Sequence, residues 1–333
     1  AWLRSDVLPH ARGATKIGPE AFARLLRVRR IGADAAAIAA TGERVIARET
    51  ARVHDLAVTV LASRGREPGA EPVAHALAAV REDRPADFAA VLATYDEAIA
   101  GSRAFVVDRG LATAPDVPLR VVETPAYLRH LIPFAAYLDP GRWSPRPEGV
   151  YLVTPKVDLA AFPRAEVRTT TVHEAWPGHH LQLSVARSIP LGRFLAGATE
   201  YIEGWALYCE DLMLRHGFLT TPEERFVQAK DSLWRALRIR LDVGLATGTI
   251  PFEAAVAQLV DALGFSEAEA RAEAKRYTLE PGYNLSYMWG KLAFLDLRER
   301  WVASGRVDER TFHDRVLAAG ALPFPLLERA LEA

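Results

Sequence analysis

The sequence predicts a mainly α-helical fold with one small β-sheet ahead of its most distinctive helix, and three observations predict it. Apolar residues recur at helical spacing over most of the chain. One internal stretch, 104–157, breaks into short β-branched or aromatic runs bounded by Pro and Gly. No fixed-period repeat and no low-complexity tract disturbs this order of helices, sheet, then helices.

From Pro19 to about Ala100, segments such as Phe22-Ala-Arg-Leu-Leu-Arg27 and Phe88-Ala-Ala-Val-Leu-Ala-Thr-Tyr95 carry the helical period, separated by the Gly/Pro-rich stretch Gly65–Pro72. Several antiparallel helices are expected there. Phe105-Val-Val-Asp108, Leu119-Arg-Val-Val-Glu-Thr124 and Gly149-Val-Tyr-Leu-Val-Thr154 are expected strands of an antiparallel or mixed sheet. After Pro163 the helical pattern returns and runs almost to Ala333, punctuated by Pro190, Gly217, Pro251, Gly264 and Pro281-Gly282.

Composition narrows the function classes. With 333 residues and 50% hydrophobic content the chain can bury a substantial core, which argues against disorder. The 41 Lys+Arg against 42 Asp+Glu leave a formal charge of −1, which argues against a broad surface for nucleic acid. A single cysteine, Cys209, excludes an internal disulfide and a cysteine-cluster zinc finger, and it is expected to be a buried small apolar residue. No run reaches the roughly 18 apolar residues that a membrane helix needs. The chain opens Ala1-Trp2-Leu3-Arg4 without Met or a leader, so removal of an N-terminal segment is expected and location stays undetermined.

The chemistry lies in Thr169-Thr-Thr-Val-His-Glu-Ala-Trp-Pro-Gly-His-His-Leu-Gln182. In His-Glu-x-x-His zinc hydrolases, two His one helical turn apart ligate the metal and the Glu between them activates water. Here Pro177 occupies the position four residues after His173. On an ideal helix His179 lies about 120° around from His173, and His180 lies about 10.5 Å along it, so neither can share one zinc with His173. Pro177-Gly178 predicts the remedy, because Pro removes a helical hydrogen bond and Gly accepts almost any backbone angle. A kink or bulge should bring His179 or His180 beside His173. Downstream, Ala198-Thr-Glu-Tyr-Ile-Glu-Gly-Trp-Ala-Leu-Tyr-Cys-Glu210 offers Glu200, Glu203 and Glu210, with Glu203 and Glu210 on one helical face.

These two blocks resemble the bacterial proteins grouped as domain of unknown function 885, which are similar to the gluzincin metallopeptidases. Further matches are Val121-Val-Glu-Thr-Pro-Ala-Tyr127, Trp234-Arg-Ala-Leu-Arg238 with Asp242-Val-Gly-Leu245, and Pro281-Gly-Tyr-Asn-Leu-Ser-Tyr-Met-Trp-Gly-Lys291. The resemblance runs from about Leu8 to the C-terminus. It implies a gluzincin-like metallopeptidase fold and a single catalytic domain over 1–333: helical 1–103, sheet region 104–157, metal-site helices 158–333. Family members are usually longer at the N-terminus, and the resemblance leans towards an exported or periplasmic protein.

By that resemblance His173, His179 and Glu203 would ligate Zn2+, Glu174 would be the general base, and His180 would support the metal shell or bind substrate. Tyr283 and Tyr287 are the expected oxyanion donors or substrate contacts, with Tyr287 favoured. The implied reaction is hydrolysis of a peptide or small amide. One departure from the family pattern is Ala246, where a His is often found. Arg235 and Arg238 share a helical face; an ordinary Arg238–Asp242 ion pair is the plain expectation. The carboxypeptidase-like relatives imply instead a fork for a substrate carboxylate. Competing readings are a non-catalytic helical binding protein on this scaffold, and a zinc hydrolase of non-peptide amides or esters.

Overall fold

The computed structural model describes residues 2–10, 15–132 and 134–332, so Ala1, from which a removed segment was expected to extend, lies outside the described residues. Among the described residues four α-helices precede the sheet, after a π-helical turn at Leu3–Val7 and a 3-10 turn at Leu8–His10. Helix α1 (Pro19–Val28) starts on Pro19, where the missing N–H leaves nothing unbonded, and buries Phe22 and Leu26. Helices α2 (Ala35–Ser63) and α4 (Phe88–Asp108) start on Asp34 and Asp87, whose carboxylates accept from the backbone N–H groups of Ala37 and Ala90. The shorter α3 (Pro72–Val80) lies between them.

Phe105–Asp108 is not a strand. It forms the last turn of α4, where buried Val91, Tyr95, Ile99, Ser102 and Val106 keep a three-to-four residue spacing to the end. The helical period there outweighs the β-branched composition of a short run.

The sheet has three strands, β1 (Leu119–Glu123), β2 (Ala135–Leu138) and β3 (Gly149–Val153), in the order β1-β3-β2. It is mixed: β1 runs parallel to β3, and β2 antiparallel to it with Tyr137 opposite Tyr151. Strand β2, Ala-Ala-Tyr-Leu, has no β-branched residue and only its pairing with β3 makes it a strand.

The remaining helices are α5 (Arg164–Glu174), α6 (His179–Ala186), α7 (Leu191–Phe194), α8 (Thr199–Arg215), α9 (Pro222–Thr247), α10 (Phe252–Leu263), α11 (Glu267–Leu279), α12 (Ser286–Arg298), α13 (Glu309–Ala319) and α14 (Phe324–Glu332). Reciprocal side-chain bonds between Thr221 and Glu224, and between Ser266 and Glu269, fix the starts of α9 and α11. Among the described residues no helix is long and apolar enough to cross a membrane.

Three apolar clusters form the core. One joins the sheet and α4 to α8, α12 and the C-terminal helices, with Tyr151, Trp176, Trp205 and Phe294 among its largest members. The second joins α2 and α3 to α9, α10 and α11; the third closes α1 onto α2, α9 and α12. Every residue from Glu203 to Glu210 is buried, so α8 runs through the interior and carries its carboxylates into a dry environment.

Candidate metal centre

The segment that joins His173 to His179 is broken rather than bulged. Helix α5 ends at Glu174, Ala175 leaves helical geometry at φ −109° and ψ −95°, and α6 starts at His179. The Trp176–Pro177 bond is cis. Across the break the Gly178 N–H donates to the Val172 carbonyl at 3.1 Å, and Leu181 N–H donates to Ala175 at 3.4 Å. Gly178 is required, since a Cβ there would lie 1.8 Å from the His173 carbonyl oxygen. The tight approach sets the His173 and His179 rings 4.9 Å apart, nearly perpendicular. Helix α8 holds the turn from the other side, because Trp205 Nε1–H donates to the Pro177 carbonyl at 2.9 Å and Cys209 Sγ lies 3.6 Å from it.

Glu203 completes the group. Its Oε2 lies 3.5 Å from His179 Nε2 and 3.8 Å from His173 Nε2, and one ligand atom from each of the three residues falls within 4.8 Å of the others. Metal–ligand bonds of 2.0–2.2 Å in tetrahedral geometry require ligand separations of about 3.4 Å, so the residues fit a small divalent cation. The hydrogen bonds agree. His173 Nδ1–H donates to Glu210 Oε1 at 2.8 Å, and His179 Nδ1–H to Gln182 Oε1 at 3.4 Å, so both rings turn Nε2 towards Glu203. Burial opposes charge on His173, but hydrogen bonds to Glu203 and Glu210 and the charge of Glu174 outweigh it and raise its pKa to about 10. Burial likewise opposes ionisation of Glu203, yet the two imidazoles hold it well below the usual carboxylate range. Both shifts have one origin, the mutual attraction between the imidazoles and the carboxylates packed against them.

Glu174 differs from its neighbours. It is half-buried, follows His173 directly, and makes no hydrogen bond or ion pair among the described residues. His180 turns the other way. Fully buried, it accepts from the Tyr137 hydroxyl at Nδ1 and donates from Nε2 to the Val117 carbonyl, both at 2.9 Å. Burial lowers its pKa. With both nitrogens engaged, His180 joins α6 to the sheet. The sequence left His179 and His180 as alternatives because either needs a break whose shape only the fold supplies.

The family described as bacterial protein of unknown function (DUF885) matches residues 1–331. The chain belongs to this family. A candidate lipoprotein from Colwellia psychrerythraea, solved by crystallography, superposes with a TM-score of 0.85 at 27% identity, over 98% of this chain and 57% of that one. A candidate lipoprotein of unknown function from Shewanella oneidensis superposes at 0.84 with 22% identity, over 100% of this chain and 63% of that one. The chain therefore spans about three fifths of these two proteins, and the second likeness speaks for the fold alone. No curated protein matches it.

In this DUF885 chain the Pro281–Lys291 block closes the site. The Tyr283 hydroxyl donates to Glu203 Oε1 at 2.6 Å, which makes it a partner of the carboxylate. Tyr287 is buried and stacks on His173 with ring centroids 6.4 Å apart; burial raises its pKa, so its hydroxyl keeps its proton. The expected Arg238–Asp242 pair does not form. Arg238 bonds the Tyr277 hydroxyl at 3.2 Å and Glu273 at 3.3 Å, and its guanidinium stacks over Trp234 and Tyr287. Asp242 instead accepts from the backbone of Gly282 and Leu285, and burial pushes its pKa up to about 6. Arg235 pairs with Asp231 at 3.4 Å, while its buried Nε has no partner. At Ala246 the backbone is what matters, for its carbonyl accepts from Ile17 and Gly18 just ahead of α1. The sequence offered Glu210 as a supporting or surface carboxylate on Glu203's helical face and Gln182 as the last residue of the His block; Tyr137 and Arg29 gave no signal.

Proposed function

We propose that this chain carries the catalytic centre of a zinc-dependent peptidase, with His173, His179 and Glu203 as ligands and Glu174 as general base. The observation that carries the reading is the free carboxylate of Glu174 beside an ordered triad whose other acidic groups are all hydrogen-bonded. A base must be left unpaired to accept a proton, whereas a structural carboxylate at this depth would be paired. Bound zinc supplies a Lewis acid for the scissile carbonyl and lowers the pKa of water. Glu174 then takes the proton of the attacking water and delivers it to the departing amine nitrogen. The protonated Tyr287 hydroxyl donates to the carbonyl oxygen as negative charge gathers there. Of the two arginines, Arg238 is engaged by Tyr277, Glu273 and the Tyr287 ring, which leaves Arg235, paired with Asp231, as the candidate for a substrate carboxylate.

Strand β3 is flanked by β1 and β2, so it has no free edge for an extended substrate. An added strand would have to join an outer edge of the sheet. The candidate lipoproteins that share the fold support an exported location.

The test strips the protein with a chelator, reloads it with zinc and reads cleavage of a peptide library by mass spectrometry. Cleavage should vanish on stripping and return with zinc. Glu174→Gln should keep its zinc and lose roughly 100-fold or more in turnover. Folded, zinc-loaded protein that cuts no peptide overturns the reading, and hydrolysis confined to simple amides or esters reassigns the substrate.

A further inference from the structure

We infer that Arg29 and Asp242 are positioning residues that clamp the 281–286 loop, hold Tyr283 against Glu203, and thereby set how tightly the site holds its metal. The inference rests on the metal-site reading above and adds residues that touch no ligand. Arg29 follows α1, more than 170 residues before Glu203 in sequence. One arm of its guanidinium donates to Glu200 Oε2 at 2.7 Å and to Ser286 Oγ at 2.6 Å, and the other donates to the Gly282 carbonyl. Asp242 on α9 grips the same loop from the other side, Oδ1 accepting from Gly282 N–H at 2.7 Å and Oδ2 from Leu285 N–H at 2.9 Å. The two residues thus fix the backbone immediately before Tyr283 and two residues after it.

The grip is buried and has a direction. Asp242 and Ser286 are fully buried and Glu200 is 3% exposed. Glu200 stands one turn before Glu203 on α8, so Arg29 ties the loop to the very helix that carries the ligand. What the loop delivers is one bond, from the Tyr283 hydroxyl to Glu203 Oε1. Oε2 is the oxygen that faces both imidazoles. A donor held on Oε1 orients the carboxylate so that it offers the metal a single oxygen at a fixed position, and outer groups of this kind commonly govern metal affinity about 10- to 100-fold. Arg29 suits the task because a planar fork can reach a carboxylate, a hydroxyl and a carbonyl together, which an ammonium on a flexible stem cannot.

The experiment measures the zinc dissociation constant of the whole chain by competition with a chromophoric chelator, with folding checked by circular dichroism. The variants are Tyr283→Phe, Arg29→Met, Asp242→Asn, Ser286→Ala and the double variant Arg29→Met/Tyr283→Phe. Tyr283→Phe should weaken zinc roughly tenfold, with Arg29→Met and Asp242→Asn close behind. The double variant should be no weaker than Tyr283→Phe within about a factor of two, because the clamp acts through the bond already removed. Should Arg29→Met not fold, Ser286→Ala removes one anchor gently, and it should cost about threefold in wild type and nothing in Tyr283→Phe. Unchanged affinity in the folded clamp variants, or a double variant losing the product of the two single losses, overturns the clamp alone. A wild type that binds no zinc overturns the metal reading together with it.

Discussion

Gly178 carries much of the site by lacking a side chain. A methyl group at that position would overlap the His173 carbonyl at 1.8 Å, and the only relief is to move α6, with His179, away from α5. His179 and His180 are adjacent in sequence and opposite in environment, one facing Glu203 and the other locked between Tyr137 and Val117. Their alanine variants should separate cleanly. Wild type is expected to hold about one zinc per chain, as three protein ligands with an open fourth position would. His179→Ala and Gly178→Ala should lose it. His180→Ala should keep zinc and lose stability by roughly 2–4 kcal/mol, since it opens a cavity and strands the Tyr137 hydroxyl. Metal analysis beside urea unfolding reads both properties, and equal loss of zinc in the two His variants would contradict the assignment.

Between elements, the crossing of α8 and α12 sets the distance from Glu203 to Tyr287. The helices meet at Gly204 and Gly290, where a Cβ on Gly290 would lie 1.8 Å from the Glu200 carbonyl and one on Gly204 would lie 2.5 Å from Gly290 Cα. Backbone meets backbone there, so no rotamer change can absorb an added methyl. Gly290→Ala should cost about 3 kcal/mol, at the upper end for overpacking, and weaken metal binding by parting Tyr283 from Glu203. A melting curve and a zinc titration test this, and a variant as stable as wild type would mean that the helices separate without strain. At this scale the sequence was legible wherever period decides. Amphipathic helices such as α1 and α14 carry their own 3.6-residue pattern, and β1 and β3 carry β-branched residues between Pro and Gly. It misled where composition and period disagree, at Phe105–Asp108, and it was silent at β2, whose identity comes from its partner.

The whole molecule should respond to pH through buried groups outside the candidate triad. His313 on α13 accepts from the Tyr208 hydroxyl and donates to the Leu111 carbonyl, so it is held neutral, and burial pushes its pKa down to about 4 from 6.5. The unfolded chain takes up this proton first as pH falls. The contribution of His313 is therefore complete above pH 6.5 and is lost progressively towards pH 4, about 3 kcal/mol in all. Asp242 acts in the opposite sense, since its raised pKa means that its stabilising contribution is greatest below about pH 4 and declines as pH rises through 6. The two overlap, so the difference between wild type and His313→Gln isolates the histidine. That difference in unfolding free energy should shrink by about 2–3 kcal/mol between pH 7 and pH 4.5, and a constant difference would remove His313 from the account.

Residue types and spacing alone determined the helical class, the two blocks that supply the candidate triad and the need for a break at Pro177-Gly178. Each of these follows from local rules: hydrophobic period, the missing N–H of Pro, and the geometry of a regular helix. Tertiary structure decided which His faces Glu203, that Asp242 holds a backbone loop instead of Arg238, and that Arg29 reaches a helix far along the chain. Those outcomes depend on which buried donor meets which acceptor across elements, and a buried polar group takes the nearest partner the packing brings to it, whatever lies beside it in sequence.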